Sequence, residues 1–362
     1  MNGLDNVVVA ETVLSDVDGE NGRLVIKGLN LDQIAGRMSF EDVARLLLED
    51  LFDDLPGPDL FRRRLGEARA AVFAEIASLD AVQARRPPVE AVRALIARLA
   101  DGDDLDAALR LLAAPAVFTP AVIRAASGLA AIQPDATLGH ADDVLRMLTG
   151  ETATPGQAAA LDAYLVTVID HGLNASTFAA RVAASTRAGL ASAVLAGLSA
   201  LKGPLHGGAP GPVIEMLDAI SSADRAAGWL SAALDRGERL MGFGHRIYKV
   251  RDPRADALKR AMKALAAASP NLPGRLAFAE AVEAQALELL RRRKPGRRLE
   301  TNVEFYTAIL LEALGFPQEA FTCVFAMGRT AGWIAHAREQ VLSGRLIRPL
   351  SRYVGPAPRA AA

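Results

Sequence analysis

The spacing of apolar positions changes once along the chain. Over residues 7–28, VVVAETVL and RLVIKG flank the turn-rich SDVDGENG, which predicts a small β-hairpin. Beyond it the helical period takes over, and helix start signals are frequent. Ser39 precedes an amphipathic run over 40–50. Thr154-Pro155 reads as an N-cap followed by proline at the first helical position, and Asp252-Pro253 repeats that signature before RADALKRAMKALAAA. Thr301-Asn302-Val303-Glu304 opens a further helix that ends near Gly315, and Pro317 starts the next. No internal repeat and no low-complexity linker interrupts the pattern. The prediction is an all-α, mainly helical chain with a small N-terminal β-hairpin. The Gly/Pro cluster 202–212 and the segment around Gly315-Phe316-Pro317 bracket a more charged stretch between apolar ones. That pattern divides the chain into a large helical domain, 1–212 with 318–362, and a small inserted helical domain, 213–317. A single helical domain is the alternative that composition leaves open.

Composition sharpens this picture. Of 362 residues 51% are hydrophobic but only 5% aromatic, so the chain can build a large core that is mostly aliphatic. The Ala/Leu/Arg/Glu stretches lose little rotamer freedom in a helix. A formal net charge of −1 argues against generic nucleic-acid binding, so an anionic ligand needs a local cluster of cations. The lone Cys323, in FTCVFAM, can form neither a disulfide framework nor a zinc site and reads as a buried structural thiol. The start MNGLDNVVVAETVLSD shows no basic segment before an apolar run, so no secretory signal is read there. The uncharged stretch 188–201 falls short of the ~20 residues that span a bilayer. A soluble, cytoplasmic protein with no membrane or nucleic-acid partner is expected.

Candidate chemistry gathers on few residues. Among five histidines, His206 lies in GPLHGGAP, where Pro and Gly constrain the backbone and let a ligand approach closely. A helix beginning just after it would keep the ring neutral and a hydrogen-bond donor. His245 lies in MGFGHRIYKVRDPRADALK, among Arg246, Lys249, Arg251 and Arg254; this reads as an anion site or as a solvated basic loop. His171, in DHGLNASTF, sits where a helix-terminal cap or a satisfied core group is the commoner role. His140 and His336 show no supporting neighbours in the sequence. Glu304 stands in the first turn of its helix, and Thr301-x-x-Glu304 matches a capping box, so the pattern alone makes it a cap. A carboxylate at that terminus would equally stay ionised, as a general base must. No HExxH, GxSxG, GxxxxGK[ST] or strand-linked GxGxxG pattern occurs, which leaves metal-free acid–base chemistry.

Taken together, these segments resemble the citrate synthase family. LSDVDGENGRLVIKG, DHGLNASTF, GPLHGGAP, MGFGHRIYK with DPRADALK, TNVEFYTAIL and MGRTAGWIAH follow in that family's order over nearly the whole chain. The resemblance implies a two-domain helical homodimer whose small domain closes over substrate. It implies condensation of acetyl-CoA with oxaloacetate and hydrolysis of the product thioester. Coenzyme A thioester would be a co-substrate, with no permanently bound cofactor and no metal. By position, His206 would hydrogen-bond the thioester oxygen, His245 would donate to the oxaloacetate carbonyl, and Glu304 would remove a methyl proton. Oxaloacetate carboxylates would be held by His171, Arg254 and Arg329. Arg348, in LIRP, would complete the partner subunit's site. Lys249 and the run 291–298, with Arg297 and Arg298, would face the CoA phosphates. The start of the chain resembles the shorter dimeric members, so a plain dimer is expected.

The chain also departs from the family pattern. Glu304 stands where Asp is usual, and the extra methylene moves the carboxylate by about 1.5 Å. Misplacement by ~1 Å can cost about 100-fold in rate. Pro210 replaces a common Asn, Lys27-Gly28-Leu29 stands for Arg-Gly-Tyr, and Gly172 takes the place of a frequent Glu. The alternatives are therefore 2-methylcitrate synthesis from propionyl-CoA, or a catalytically weak paralogue with a binding or regulatory role.

Overall fold

The computed structural model describes residue 4 and residues 7–204, 206, 210–267, 269 and 272–356. Gly207, Gly208 and Ala209 of the HGGAP run lie outside the described residues, as does the side chain of Pro210. The hairpin forms, but its first strand lies further along than the apolar pattern predicts. Strands β1 (Ser15–Asp18), β2 (Arg23–Ile26) and β3 (Leu29–Asn30) form an antiparallel sheet in the order β1-β2-β3, with Ser15 opposite Ile26 and Asp18 opposite Arg23. Asp18 closes the turn by accepting from the backbone and side-chain N–H groups of Asn21 at 3.0 and 2.7 Å. That turn fixes the register, so SDVD pairs with RLVI and Val7–Val9 is left without a strand partner.

The remaining elements are helices: α1 (Leu31–Ile34), α2 (Phe40–Leu47), α3 (Pro58–Val72), α4 (Pro88–Ile96), α5 (Leu105–Ala126), α6 (His140–Thr149), α7 (Pro155–Val168) and α8 (Ala175–Ser185). There follow α9 (Leu190–Leu201), α10 (Pro210–Ile220), α11 (Ala223–Asp235), α12 (Pro253–Ala267), α13 (Leu272–Arg293), α14 (Val303–Ala313) and α15 (Phe321–Ser343). The expected starts hold where a side chain can satisfy an orphan amide. Ser39 caps α2 by accepting from Asp42 N–H, and Thr154 forms a reciprocal capping box with Gln157 at α7. Helix α5 is long and apolar enough, by composition, to cross a membrane, but 83% of that stretch is buried within the protein. It is a core helix, packed against α3, α4, α6 and α15.

Helix α15 runs through the centre against α5, α7, α8 and α9. Small residues allow the approach to α7. A Cβ on Gly328 would sit 2.7 Å from the Leu165 carbonyl oxygen, and one on Gly332 would sit 2.5 Å from that of Ile169. The intervening Arg329 is thereby held against the C-terminal end of α7. Helix α12 lies across both α7 and α14, which brings the Arg254 end of one segment to the Glu304 end of another. Cys323 is buried, and burial pushes its thiol up to about 12, so it stays a neutral core group.

Candidate active site

Short polar contacts build the site at the ends of α7, α8, α12 and α14 and along α15. His171 follows α7 in a buried turn and meets the Tyr248 hydroxyl through Nε2 at 3.1 Å. Its ring stands edge-on to that of His245, with centroids 5.8 Å apart. Burial, reinforced by Arg254 and Arg329, drives its pKa well below the ordinary histidine value, so the ring is neutral. Ile169 is the C-cap of α7, so His171 is not that cap but a buried ring with a polar partner.

His245 is oriented by its own loop. The backbone N–H groups of Ile247 and Tyr248 both donate to Nδ1 at 3.1 Å. An acceptor nitrogen carries no proton, so the proton of the neutral ring sits on Nε2. Arg254 Nη2 lies 3.2 Å from that nitrogen. Two donors side by side cannot satisfy each other, and they converge on one place for an acceptor such as a carbonyl or carboxylate. Burial, followed by Arg254, lowers His245 to about 4.

His206 shows the complementary tautomer. Ser176 N–H, in the first turn of α8, donates to Nε2 at 3.3 Å, and Ser176 Oγ lies 2.8 Å from the same nitrogen. The ring proton is therefore on Nδ1. The sequence points to α10, just after His206, as the source of the positive end, but the amide that touches the ring belongs to α8. Asn174 caps α8 by accepting from the Ser176 and Thr177 amides at 3.1 Å, and Trp333 Nε1 donates to Ser176 Oγ at 3.2 Å. Burial, with Arg329 second, lowers His206 to about 4.

Two of the buried arginines, Arg254 and Arg329, serve this site and are held differently. Asp252 accepts from Arg254 Nε at 3.0 Å, from Nη2 at 2.8 Å and from Val303 N–H at 3.2 Å. One carboxylate thus ties the Arg254 fork to the start of α14. Arg329 Nε donates to the Val168 carbonyl on α7 at 2.7 Å and its guanidinium lies over the Phe325 ring, while Nη2 has no hydrogen-bond partner among the described residues. Burial lowers its pKa to about 10, which still leaves it charged at neutral pH.

Glu304 is not in a capping box. The N-cap of α14 is Asn302, whose side chain accepts from Glu304 N–H at 3.0 Å. Thr301 is drawn away by a bridge to Phe243, and its Oγ1 donates to Glu283 at 2.7 Å. The Glu304 carboxylate is thus free of any capping role, and its Oε2 is shielded from solvent with no hydrogen-bond partner among the described residues. Burial raises it to about 7, although Arg254 and Arg329 pull the other way.

His171, His206, His245, Arg254, Glu304 and Arg329 therefore surround one place, linked by these contacts and by the mutual effects of their charges. The other predicted residues lie further out. Lys249 is exposed, donates to Arg246 O at 3.1 Å and still acts on His245 through its charge. Arg297 is exposed at the edge of a cavity of about 260 Å³ shared with Arg239, Phe243, Leu290 and Lys294. Arg298 is exposed beside it, and Arg348 is exposed on the segment after α15. His336 does have supporting neighbours: its Nδ1 accepts from Arg181 Nε at 3.0 Å, so Nε2 carries the proton toward Asp170, 3.2 Å away. That relay braces the turn carrying His171. His140 is a core residue, its ring tilted against that of Phe40 at 4.8 Å between centroids.

A family model described as "Citrate synthase, C-terminal domain" matches residues 3–350. The chain belongs to the citrate synthase family. Among its relatives, the citrate synthase of Haloferax volcanii is 37% identical, the match covering 98% of this chain and 95% of that protein. The citrate synthase structure from Thermotoga maritima superposes with a TM-score of 0.84 at 32% identity, covering 100% of this chain and 97% of that one. That from Thermoplasma acidophilum, solved as a ternary complex with carboxymethyl coenzyme A and oxaloacetate, gives 0.84 at 30% identity over 99% and 96%. The fold is thus the all-α fold of citrate synthases, and the chain is an enzyme of citrate synthase type. Tyr248, Asp252 and Ser176 are the supporting residues the sequence reading missed. Asp252 was visible there only as a helix-start residue, and Ser176 as part of DHGLNASTF.

Proposed function

We propose that this enzyme condenses acetyl-CoA with oxaloacetate to give citrate and CoA. The observation that carries this reading is that two oppositely protonated neutral histidines and a shielded carboxylate share the same buried arginines, Arg329 beside His206, Arg254 beside His245, and both beside Glu304. Glu304 takes a proton from the acetyl methyl group. His206 Nδ1–H donates to the thioester oxygen as it gains enolate charge, which lowers the barrier to removing a very weakly acidic proton. The enolate carbon attacks the oxo carbon of oxaloacetate. His245 Nε2–H gives its proton to the oxo oxygen, which becomes the hydroxyl of the new tertiary alcohol. Water then cleaves the thioester and CoA departs. Arg254, Arg329 and His171 hold the dianion, so the cations sit locally although the chain is near neutral overall. Lys249, Arg297 and Arg298 face the CoA phosphates. The unit 213–317 closes on the rest and excludes water until the carbon–carbon bond has formed. The enzyme works as a homodimer in which Arg348 of each subunit serves the partner's site.

Thiol release measured with acetyl-CoA and with propionyl-CoA, each with oxaloacetate, tests the reading. A larger kcat/KM for acetyl-CoA is expected. One methyl group is worth ~1–3 kcal/mol in a pocket, so propionyl-CoA is expected to react at a lower rate. Equal values would move the assignment to 2-methylcitrate synthesis. No release with either, while oxaloacetate still binds, would leave a binding protein.

A further inference from the structure

We propose that Tyr164 is an additional substrate-binding residue, its hydroxyl donating to a carboxylate of the 2-oxo dicarboxylic acid beside Arg329. The proposal rests on the oxaloacetate reading of the site. Tyr164 lies in the middle of α7 and is completely buried, and its hydroxyl has no hydrogen-bond partner among the described residues. Buried tyrosine hydroxyls normally find a partner, so this one calls for an explanation.

Its position supplies one. Tyr164 and Val168 are one helical turn apart on the same face of α7. The Val168 carbonyl is the group that anchors Arg329 Nε, at 2.7 Å. The close contact of Gly328 with Leu165 fixes the two helices at that level. Near the Tyr164 hydroxyl lie Glu304, Arg329 and Arg254, all of which act on it electrostatically. Two of these neighbours also carry buried atoms with no hydrogen-bond partner among the described residues, Arg329 Nη2 and Glu304 Oε2.

The chemistry of these atoms selects the ligand. Burial, and next the Glu304 charge, hold the phenol proton well above its ordinary pKa, so Tyr164 is a donor at any working pH. Arg329 Nη2 is a second unused donor. Two donors with no acceptor between them match one carboxylate, and each donor in reach of a carboxylate makes a charge-assisted bond. Glu304 is an acceptor, but its Oε2 takes no bond from Tyr164. The hydroxyl is therefore not spent on the proposed base.

Replacing Tyr164 with Phe tests this, because the ring is kept and only the oxygen is lost. Ligand-free melting should be unchanged or slightly higher, since an unpaired buried hydroxyl is removed. Oxaloacetate affinity, measured by calorimetry without acetyl-CoA, should fall on the order of 10-fold or more. The KM for acetyl-CoA should stay within about two-fold, because no bond to the thioester is lost. Unchanged oxaloacetate affinity would overturn the proposal. So would unchanged affinity with a displaced pH profile, which would put the hydroxyl on Glu304. A lower melting temperature with both substrates equally affected would make Tyr164 a structural residue only. Failure of the unsubstituted enzyme to bind oxaloacetate would remove the functional reading itself, and this proposal with it.

Discussion

Glu304 illustrates how a single residue can satisfy a local pattern and serve something else. Its sequence context fits a capping box, yet Asn302 takes the cap and Glu283 takes Thr301, leaving the carboxylate unpaired and raised to about 7. A base must be ionised, so kcat/KM for acetyl-CoA should rise with pH along a single-proton limb with its midpoint near 7. His206 and His245, both lowered to about 4, stay neutral throughout that range. Glu304→Gln should abolish turnover while leaving oxaloacetate affinity near normal; retained turnover would remove the base assignment. Stability carries the opposite sign. The folded value lies above the ordinary 4.5, so the unfolded chain ionises first and stability falls as pH rises from about 4.5 to 7. Glu304→Gln should therefore raise the melting temperature at pH 8 and leave it little changed at pH 4.

At the scale of elements, the start of α14 is held by a buried carboxylate on α13. Glu283 accepts from Thr301 Oγ1 at 2.7 Å, Tyr306 Oη at 2.5 Å, Arg251 Nη1 at 2.8 Å and Lys259 Nζ at 3.0 Å. Burial opposes its charge, but these donors outweigh burial and bring it to about 2. The stabilisation is thus present above about 4.5 and is lost as pH falls through about 2. Glu283→Gln leaves Arg251 and Lys259 without their buried partner and should cost about 2–4 kcal/mol at pH 7 in denaturant unfolding. It should also lower kcat/KM, because Thr301 and the turn carrying Glu304 lose their anchor. Full stability at pH 7 would show that the network is dispensable. Helix starts were legible in the sequence wherever the cap lies within a few residues, as at Ser39 and Thr154. The β1 strand and the α14 cap were not, because a turn closure and a contact from α13 decided them.

Across the whole molecule, the proposed closing unit is a segment in the middle of the chain, and Arg348 lies exposed on the segment after α15. If each site needs Arg348 from the partner, inactive Arg348→Ala and inactive Glu304→Gln chains should restore activity when mixed. Random pairing makes about half the dimers mixed, each with one intact site, so about a quarter of normal activity is expected. No recovery, with mixed dimers demonstrated by native mass spectrometry, would exclude the shared site.

The sequence by itself determined the helical class, the aliphatic core and the short motifs that bear the histidines, because these depend on local periodicity, composition and neighbours in the chain. It also placed Arg254 and Arg329 among the candidates through their motifs. Only the tertiary structure decided how those groups are used. The Nδ1 proton of His206 is set by an amide on α8, and the release of Glu304 from its apparent cap by a carboxylate on α13. Arg329 is aimed by a carbonyl on α7, and His336 becomes a brace only when Arg181 and Asp170 meet it. Protonation and pairing are set by what lies within hydrogen-bond reach, and in this chain those partners come from helices far apart in sequence.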